Sequence, residues 1–148
     1  VEAELGLPVH FETPERVVRG ADVVVTVTPS RAPLVDSGWV RPGTHVSAMG
    51  ADDVGKQELD PRLFTRARTF VDSPVQAVRI GECQHPVRLG LLAREALERC
   101  TLGAVLAGEA AGRLHPEDIT VFDSSGLAVQ DIAAAYCAVQ AVERAGTP

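Results

Sequence analysis

Apolar and polar positions alternate between two kinds of run along this chain, and the runs are separated by proline, glycine and short polar residues. Ala21-Asp22-Val23-Val24-Val25-Thr26-Val27-Thr28 is β-branched with no apolar–polar alternation, the pattern of a strand buried on both faces of a parallel sheet. Thr44 to Ala48, Thr69 to Asp72 and Ile119 to Asp123 read as further strands, and Val9-His10-Phe11 as an earlier one. Before the first long run, Thr13 offers a helix N-cap, Pro14 the first helical position and Gly20 the stop, which predicts a short helix. Pro29 to Pro33 reads as a loop, Arg41-Pro42-Gly43 as a turn, and Glu58 to Arg66 as helical with Pro61 early. Ser73-Pro74 starts another helix. Leu91 to Arg99 and Leu102 to Leu106, the latter ended by Gly108, are helix candidates, and Ala110 to Pro116 is a polar loop. Ser124-Ser125-Gly126 leads into a long helix, Leu127 to Ala145. On it, Leu127, Ala128, Ile132, Ala135, Val139 and Val142 form a stripe that is expected to pack into a core.

Helices alternating with strands predict an α/β fold built on a doubly wound, Rossmann-type parallel sheet. Such a domain opens with a strand, a Gly-rich turn and a helix, and no G-x-G-x-x-G turn occurs in the sequence. The chain therefore reads as the later part of a nucleotide-binding domain, residues 1–148, lacking its first strands and that turn. The absence of an initiator methionine points the same way.

Composition narrows the partners. With 148 residues, 45 % of them hydrophobic and 23 % charged, the chain suits one globular domain. A net charge of −6, scattered arginines and 4 % aromatics speak against nucleic acid as the partner. No apolar run reaches bilayer length, and Val1-Glu2-Ala3-Glu4 has neither the basic nor the apolar part of a secretory signal. Cys83, Cys100 and Cys137 fit reduced thiols of a cytoplasmic protein. No His or Cys pair has metal-ligand spacing, so no metal is expected.

Between the second and third long strands lies Met49-Gly50-Ala51-Asp52-Asp53-Val54-Gly55-Lys56-Gln57, close to the phosphate-cradling G-x-x-x-x-G-K-[ST]. Asp52 and Asp53 would repel phosphate, Gln57 lacks the hydroxyl that Mg²⁺ needs, and Pro61 comes early for the following helix. What remains is a carboxylate at the C-terminal end of a parallel strand, where open α/β sheets place their ligands. From spacing alone it is either an acid/base with a raised pKa, a partner for a substrate ammonium, or a turn cap.

The blocks "ADVVVTVTPS", "RPGTHVSAMGADDVGKQELD", "FVDS", "VLAGEAAGR" and "ITVFDSSGLAVQDIAAA", in this order, resemble the ornithine cyclodeaminase/mu-crystallin family, specifically its C-terminal part. The resemblance implies a homodimeric, NAD- or NADP-dependent protein with a Rossmann domain and a second domain, on which the final helix would pack if not on the fold itself. It implies an amino-acid or imine substrate. Hydride leaves the α-carbon to give an imine, which is deaminated by cyclisation or by water. The leading expectation is an ornithine cyclodeaminase type. Alanine dehydrogenase, ketimine reductase, a non-catalytic binding protein like mu-crystallin and an inactive fragment are the alternatives. By motif, Asp52 falls on the catalytic aspartate, and Lys56 on a cofactor-side lysine. Thr28, Met49, Gly50, Ala51 and Ser124 fall on positions that contact the cofactor, and Ser125, with Asp52, on ones that meet substrate. Thr28 could equally end a strand, and Ser124 could cap the last helix. The Gly-rich turn, the acidic residue for the adenosine ribose and the basic residues for the substrate carboxylate have no counterpart here. The resemblance thus implies that these 148 residues alone are catalytically inactive.

Overall fold

The computed structural model describes residues 6–146; the segment Val1-Glu2-Ala3-Glu4 read above lies outside the described residues. Helix α1 spans Pro14–Gly20, and the Thr13 side chain accepts the amide of Arg16 as predicted for its N-cap. Strand β1 (Val23–Thr26) follows, then β2 (Arg31–Val35), β3 (His45–Ala48), β4 (Gln57–Leu59) and β5 (Ala67–Val71). Three short helices, α2 (Pro74–Ala77), α3 (Gln84–Arg88) and α4 (Arg94–Leu97), lead to α5 (Leu102–Leu106), β6 (Ile119–Asp123) and the long α6 (Ala128–Ala145).

β1, β3, β6 and β5 form a four-stranded, wholly parallel sheet in that order. Thr26, Ala48 and Asp123 stand in one register row, so the C-terminal ends of three strands finish level. The core lies against this sheet: Val24, Val46, Ala48, Val71, Ile119 and Val121 pack with Val18, Leu59, Leu63 and Leu97. β6, an interior strand, is buried along most of its length on both faces, with Thr120 and Asp123 inside beside Ile119 and Val121.

Several expectations are corrected. β1 is buried on one face only: Val24 and Thr26 are inside, while Val23 and Val25 are more than 60 % exposed. Its other face meets no layer among the described residues, and its outer edge pairs with no strand there. Val9-His10-Phe11 is not a strand: it joins neither sheet among the described residues, and Phe11 is 95 % exposed, with no apolar layer to bury it. The Pro29–Pro33 loop gives way to β2, and the Glu58–Arg66 helix to β4 followed by a 3-10 turn at Pro61–Thr65. β2 and β4 pair in parallel as a separate two-stranded sheet, which tolerates Pro33 because such a strand has only one paired edge. The helix read at Leu91–Arg99 contracts to α4, and α3 was unforeseen because Pro86 lies inside it. The apolar stripe of the last helix does not enter this core: α6 has no buried residue, and Ile132, Val139 and Val142 are exposed.

Candidate functional site

The level strand ends bring distant parts of the sequence together. Beyond the last ladder residues, Met49 donates its amide to Thr26 (2.8 Å) and Ser124 donates to Ala48 (3.0 Å), so the parallel register continues into the loops. Thr28, Met49 to Asp52 and Ser124 to Gly126 therefore crowd one edge of the sheet, the edge that ligands occupy in open α/β folds. Met49 is exposed, Thr28 and Ser125 are partly exposed, and Gly50, Ala51 and Ser124 are buried.

The loop from Met49 to Lys56 is held at many points. Gly55 takes a φ of 79°, a left-handed turn open to glycine without strain. Its amide donates to the Gln84 side chain (2.8 Å), whose NH₂ in turn reaches the carbonyls of Asp53 and Lys56. His85 hydrogen-bonds the Lys56 carbonyl through Nε2 at 2.8 Å, and Arg31 donates to the Val54 carbonyl at 2.9 Å. Lys56 then folds back so that its Nζ pairs with Asp52 Oδ1. That bond holds the Asp52 carboxyl below the usual carboxylate range, and the side chain is exposed. The raised pKa considered from the sequence is thus not what the structure has: the hydrogen bond and charge of the Lys56 ammonium favour the charged form and outweigh the desolvation that would raise it.

The serines after β6 are organised by Asp72. Its Oδ2 accepts the Ser124 hydroxyl (3.2 Å) and the Gly126 amide (2.7 Å), and its Oδ1 accepts the Ser125 hydroxyl (2.9 Å). Each hydroxyl proton directed at Asp72 leaves oxygen lone pairs to accept from an N–H of a ligand. Asp72 was not singled out from the sequence, where it read only as a strand end.

Three further acids were missed altogether. Glu58, Glu82 and Asp123 are buried, at 0 %, 1 % and 0 % exposure. Glu58 Oε1 accepts the Thr28 amide at 2.6 Å, and its Oε2 accepts the Gly50 amide at 2.9 Å. Glu82 accepts the amides of Glu58 (3.0 Å) and Leu59 (2.7 Å), and Asp123 accepts those of Glu82 (2.9 Å) and Cys83 (2.8 Å). Burial pushes Glu82 up to about 8 and Asp123 up to about 6, against the pull of those amides and with neighbouring carboxylates adding to the rise. A sequence signal existed in the glycines. A Cβ on Gly50 would lie 2.4 Å from the Thr28 carbonyl oxygen, and one on Gly81 2.7 Å from Asp123 Oδ2, so both mark close approach.

Among the described residues no group of His, Cys, Asp and Glu is arranged to hold a metal ion, and no helix is long and apolar enough to cross a membrane. Cys83 is buried, Cys100 partly buried and Cys137 exposed, all as free thiols.

A parallel sheet whose C-terminal edge gathers a paired aspartate and lysine beside two serines belongs with the Rossmann-like, dinucleotide-binding α/β proteins. Comparison with known proteins makes this specific: residues 3–145 match the ornithine cyclodeaminase/mu-crystallin family, and the chain belongs to it. It is 44 % identical over 144 residues to an iminosuccinate reductase of Paracoccus denitrificans, covering 97 % of this chain and 44 % of that protein. The structure of the iminosuccinate reductase of Paracoccus denitrificans in complex with NAD+ superposes with a TM-score of 0.88. An alanine dehydrogenase of Archaeoglobus fulgidus is 45 % identical over 130 residues, covering 88 % of this chain and 40 % of that protein. A Δ1-pyrroline-2-carboxylate reductase of Thermococcus litoralis, solved with NADH and L-proline, superposes with a TM-score of 0.89 at 26 % identity, over 98 % of this chain and 45 % of that one. The chain spans less than half the length of these relatives.

Proposed function

We propose that this chain is the dinucleotide-side, C-terminal portion of an NAD(P)-dependent enzyme that interconverts an α-amino acid and its imine. The observation that carries the reading is the convergence of Thr28, Met49, Asp52, Lys56, Ser124 and Ser125 at one C-terminal sheet edge, from segments spread along the chain. Relatives of like identity carry the names of a reductase (44 %), a dehydrogenase (45 %) and a cyclodeaminase (44 %), so cyclising deamination stands beside imine reduction and amino-acid oxidation as the outcome of the same imine chemistry.

The residues present fit the nicotinamide end of such a cofactor. Met49 lies open to solvent at the strand ends beside Thr28, and the serine oxygens have lone pairs free to accept from a carboxamide N–H. The diphosphate lacks a G-x-G-x-x-G turn in this sequence, so that end is held by residues outside it. Thr28, Met49, Gly50, Ala51, Lys56 and Ser124 would hold the nicotinamide end, which, when bound, supplies the hydride acceptor or donor. Asp52, kept ionised by Lys56, takes a proton from the substrate nitrogen or from water in the oxidative direction and returns it in the reverse. Ser125, tethered to Asp72, accepts from the substrate nitrogen and orients it. The second domain, the homodimer and the groups that bind the substrate carboxylate belong to the remainder of the enzyme, in the cytoplasm, and the exposed face of α6 packs on that second domain.

Amide NMR spectra of the chain titrated with NADH test this reading. Shifts concentrated at Thr28, Met49, Gly50, Ala51, Lys56 and Ser124 are expected; shifts elsewhere, or none, would overturn it. Measured alone with L-alanine or L-ornithine, the chain is expected to show no turnover.

A further inference from the structure

Glu58, Glu82 and Asp123 share a geometry that ordinary core packing does not call for. Each carboxyl group accepts backbone amides rather than pairing with a cation, and Asp123 and Glu82 each hold the main chain of the next member. Asp123, at the end of central strand β6, takes the amides of Glu82 and Cys83. Glu82 takes those of Glu58 and Leu59, and Glu58 takes those of Thr28 and Gly50. The series thus runs from the middle of the sheet to the two segments that continue β1 and β3. Its last member has a particular shape requirement. Thr28 and Gly50 present two N–H donors from two different segments, and Glu58 meets each with a separate oxygen, Oε1 for Thr28 and Oε2 for Gly50. The segments are in contact there: a Cβ on Gly50 would sit 2.4 Å from the Thr28 oxygen and 2.6 Å from Glu58 Cδ. Among the described residues no other hydrogen bond joins Thr28 to Gly50: the β1–β3 ladder ends at Thr26 and Ala48, and the last bond beyond it is Met49 to Thr26.

We infer that Glu58 is a positioning residue, clamping the ends of β1 and β3 at a fixed separation so that Thr28 and the Met49–Gly50 backbone face the ligand as one surface. Its consequence for cofactor binding rests on the function proposed above; the clamp itself does not. Glu58 touches no ligand in this arrangement, for both its oxygens are buried against amides.

Glu58→Gln in the full 148-residue chain tests the clamp, because the amide keeps the side chain's size and leaves one acceptor in place of two. Amide hydrogen exchange by NMR is expected to quicken about tenfold or more at Thr28 or Gly50, with Val46 and Val121 in the sheet core unchanged. Glu58→Asp, which restores two oxygens on a shorter arm, should recover part of that protection. NADH affinity should fall about tenfold in Glu58→Gln, with the shifts at Lys56 and Ser124 kept. Unaltered exchange at both amides, or acceleration in step with Val46 and Val121, would overturn the inference, since the second pattern marks a general loss of stability. If the wild-type chain binds no NADH, the cofactor reading fails, and the exchange pattern alone decides the clamp.

Discussion

Lys56 and Asp52 are joined as an ion pair across one turn of the β3–β4 loop, and the lysine is the more buried partner, its side chain 20 % exposed against 60 % for the aspartate. The cation is therefore fixed by the loop and the carboxylate is free to face a ligand. Replacing Lys56 by Met removes the largest cause of the low Asp52 pKa, so the carboxyl should titrate back in the usual range. Carbon-detected NMR titration of the Asp52 side chain in both proteins measures the change. An unmoved titration would mean that the pair does not persist in solution.

Stability should fall as pH rises through neutrality. Glu82 and Asp123 have folded pKa values raised to about 8 and about 6 from ordinary values of 4.5 and 3.8. Between each ordinary value and its raised one, the folded state binds more protons than the unfolded state, so unfolding is favoured as pH increases. The Asp123 share is lost as pH rises through about 6, and the Glu82 share continues to fall through about pH 8. Urea denaturation at pH 5, 6.5 and 8 should give a descending midpoint. Glu82→Gln, whose single carbonyl can still accept from Glu58 and Leu59, should flatten the upper part of that descent.

Gly50→Ala should destabilise the chain by about 1–3 kcal/mol, because the added methyl has backbone on one side and a buried carboxylate on the other. Thermal denaturation reads this directly. Gly90→Ala is a useful contrast: that glycine has open space around it, so its cost is that of a left-handed φ alone.

Asp72→Asn should cost about 1–3 kcal/mol and loosen the serine turn, since an amide NH₂ faces donors where the carboxylate accepted them. Exchange of the Gly126 amide reports the loosening. NADH-induced shifts at Ser124 should weaken with it, while those at Lys56 remain.

How much of this could be read beforehand divides along physical lines. β3, β5 and β6 were legible because their residues alone specify buried strands, and α1 because its cap and proline act locally. β2 and β4 were not, since three to five residues with a proline or a glutamate gain their strand character only from pairing with each other. Burial of one face of β1, and exposure of the α6 stripe, depend on what lies over them and not on their own pattern. In the site, Asp52, Lys56 and the serines sit in motifs and could be named. Glu58, Glu82 and Asp123 could not, because a carboxylate in sequence reads as surface, and only the folded backbone supplies the amides that let it be buried.

The row formed by Thr26, Ala48 and Asp123 has a consequence for the order of events in folding. Thr28, Gly50, Glu58, Glu82 and Asp123 are drawn from well-separated points of the chain, so no early, locally formed intermediate can own the binding edge. Loop closures of long sequence separation must all be complete before a ligand finds its partners. Ligand affinity is then a reporter of the last step of assembly, and a ligand that binds only there raises the stability of the whole sheet with the logarithm of its concentration relative to Kd.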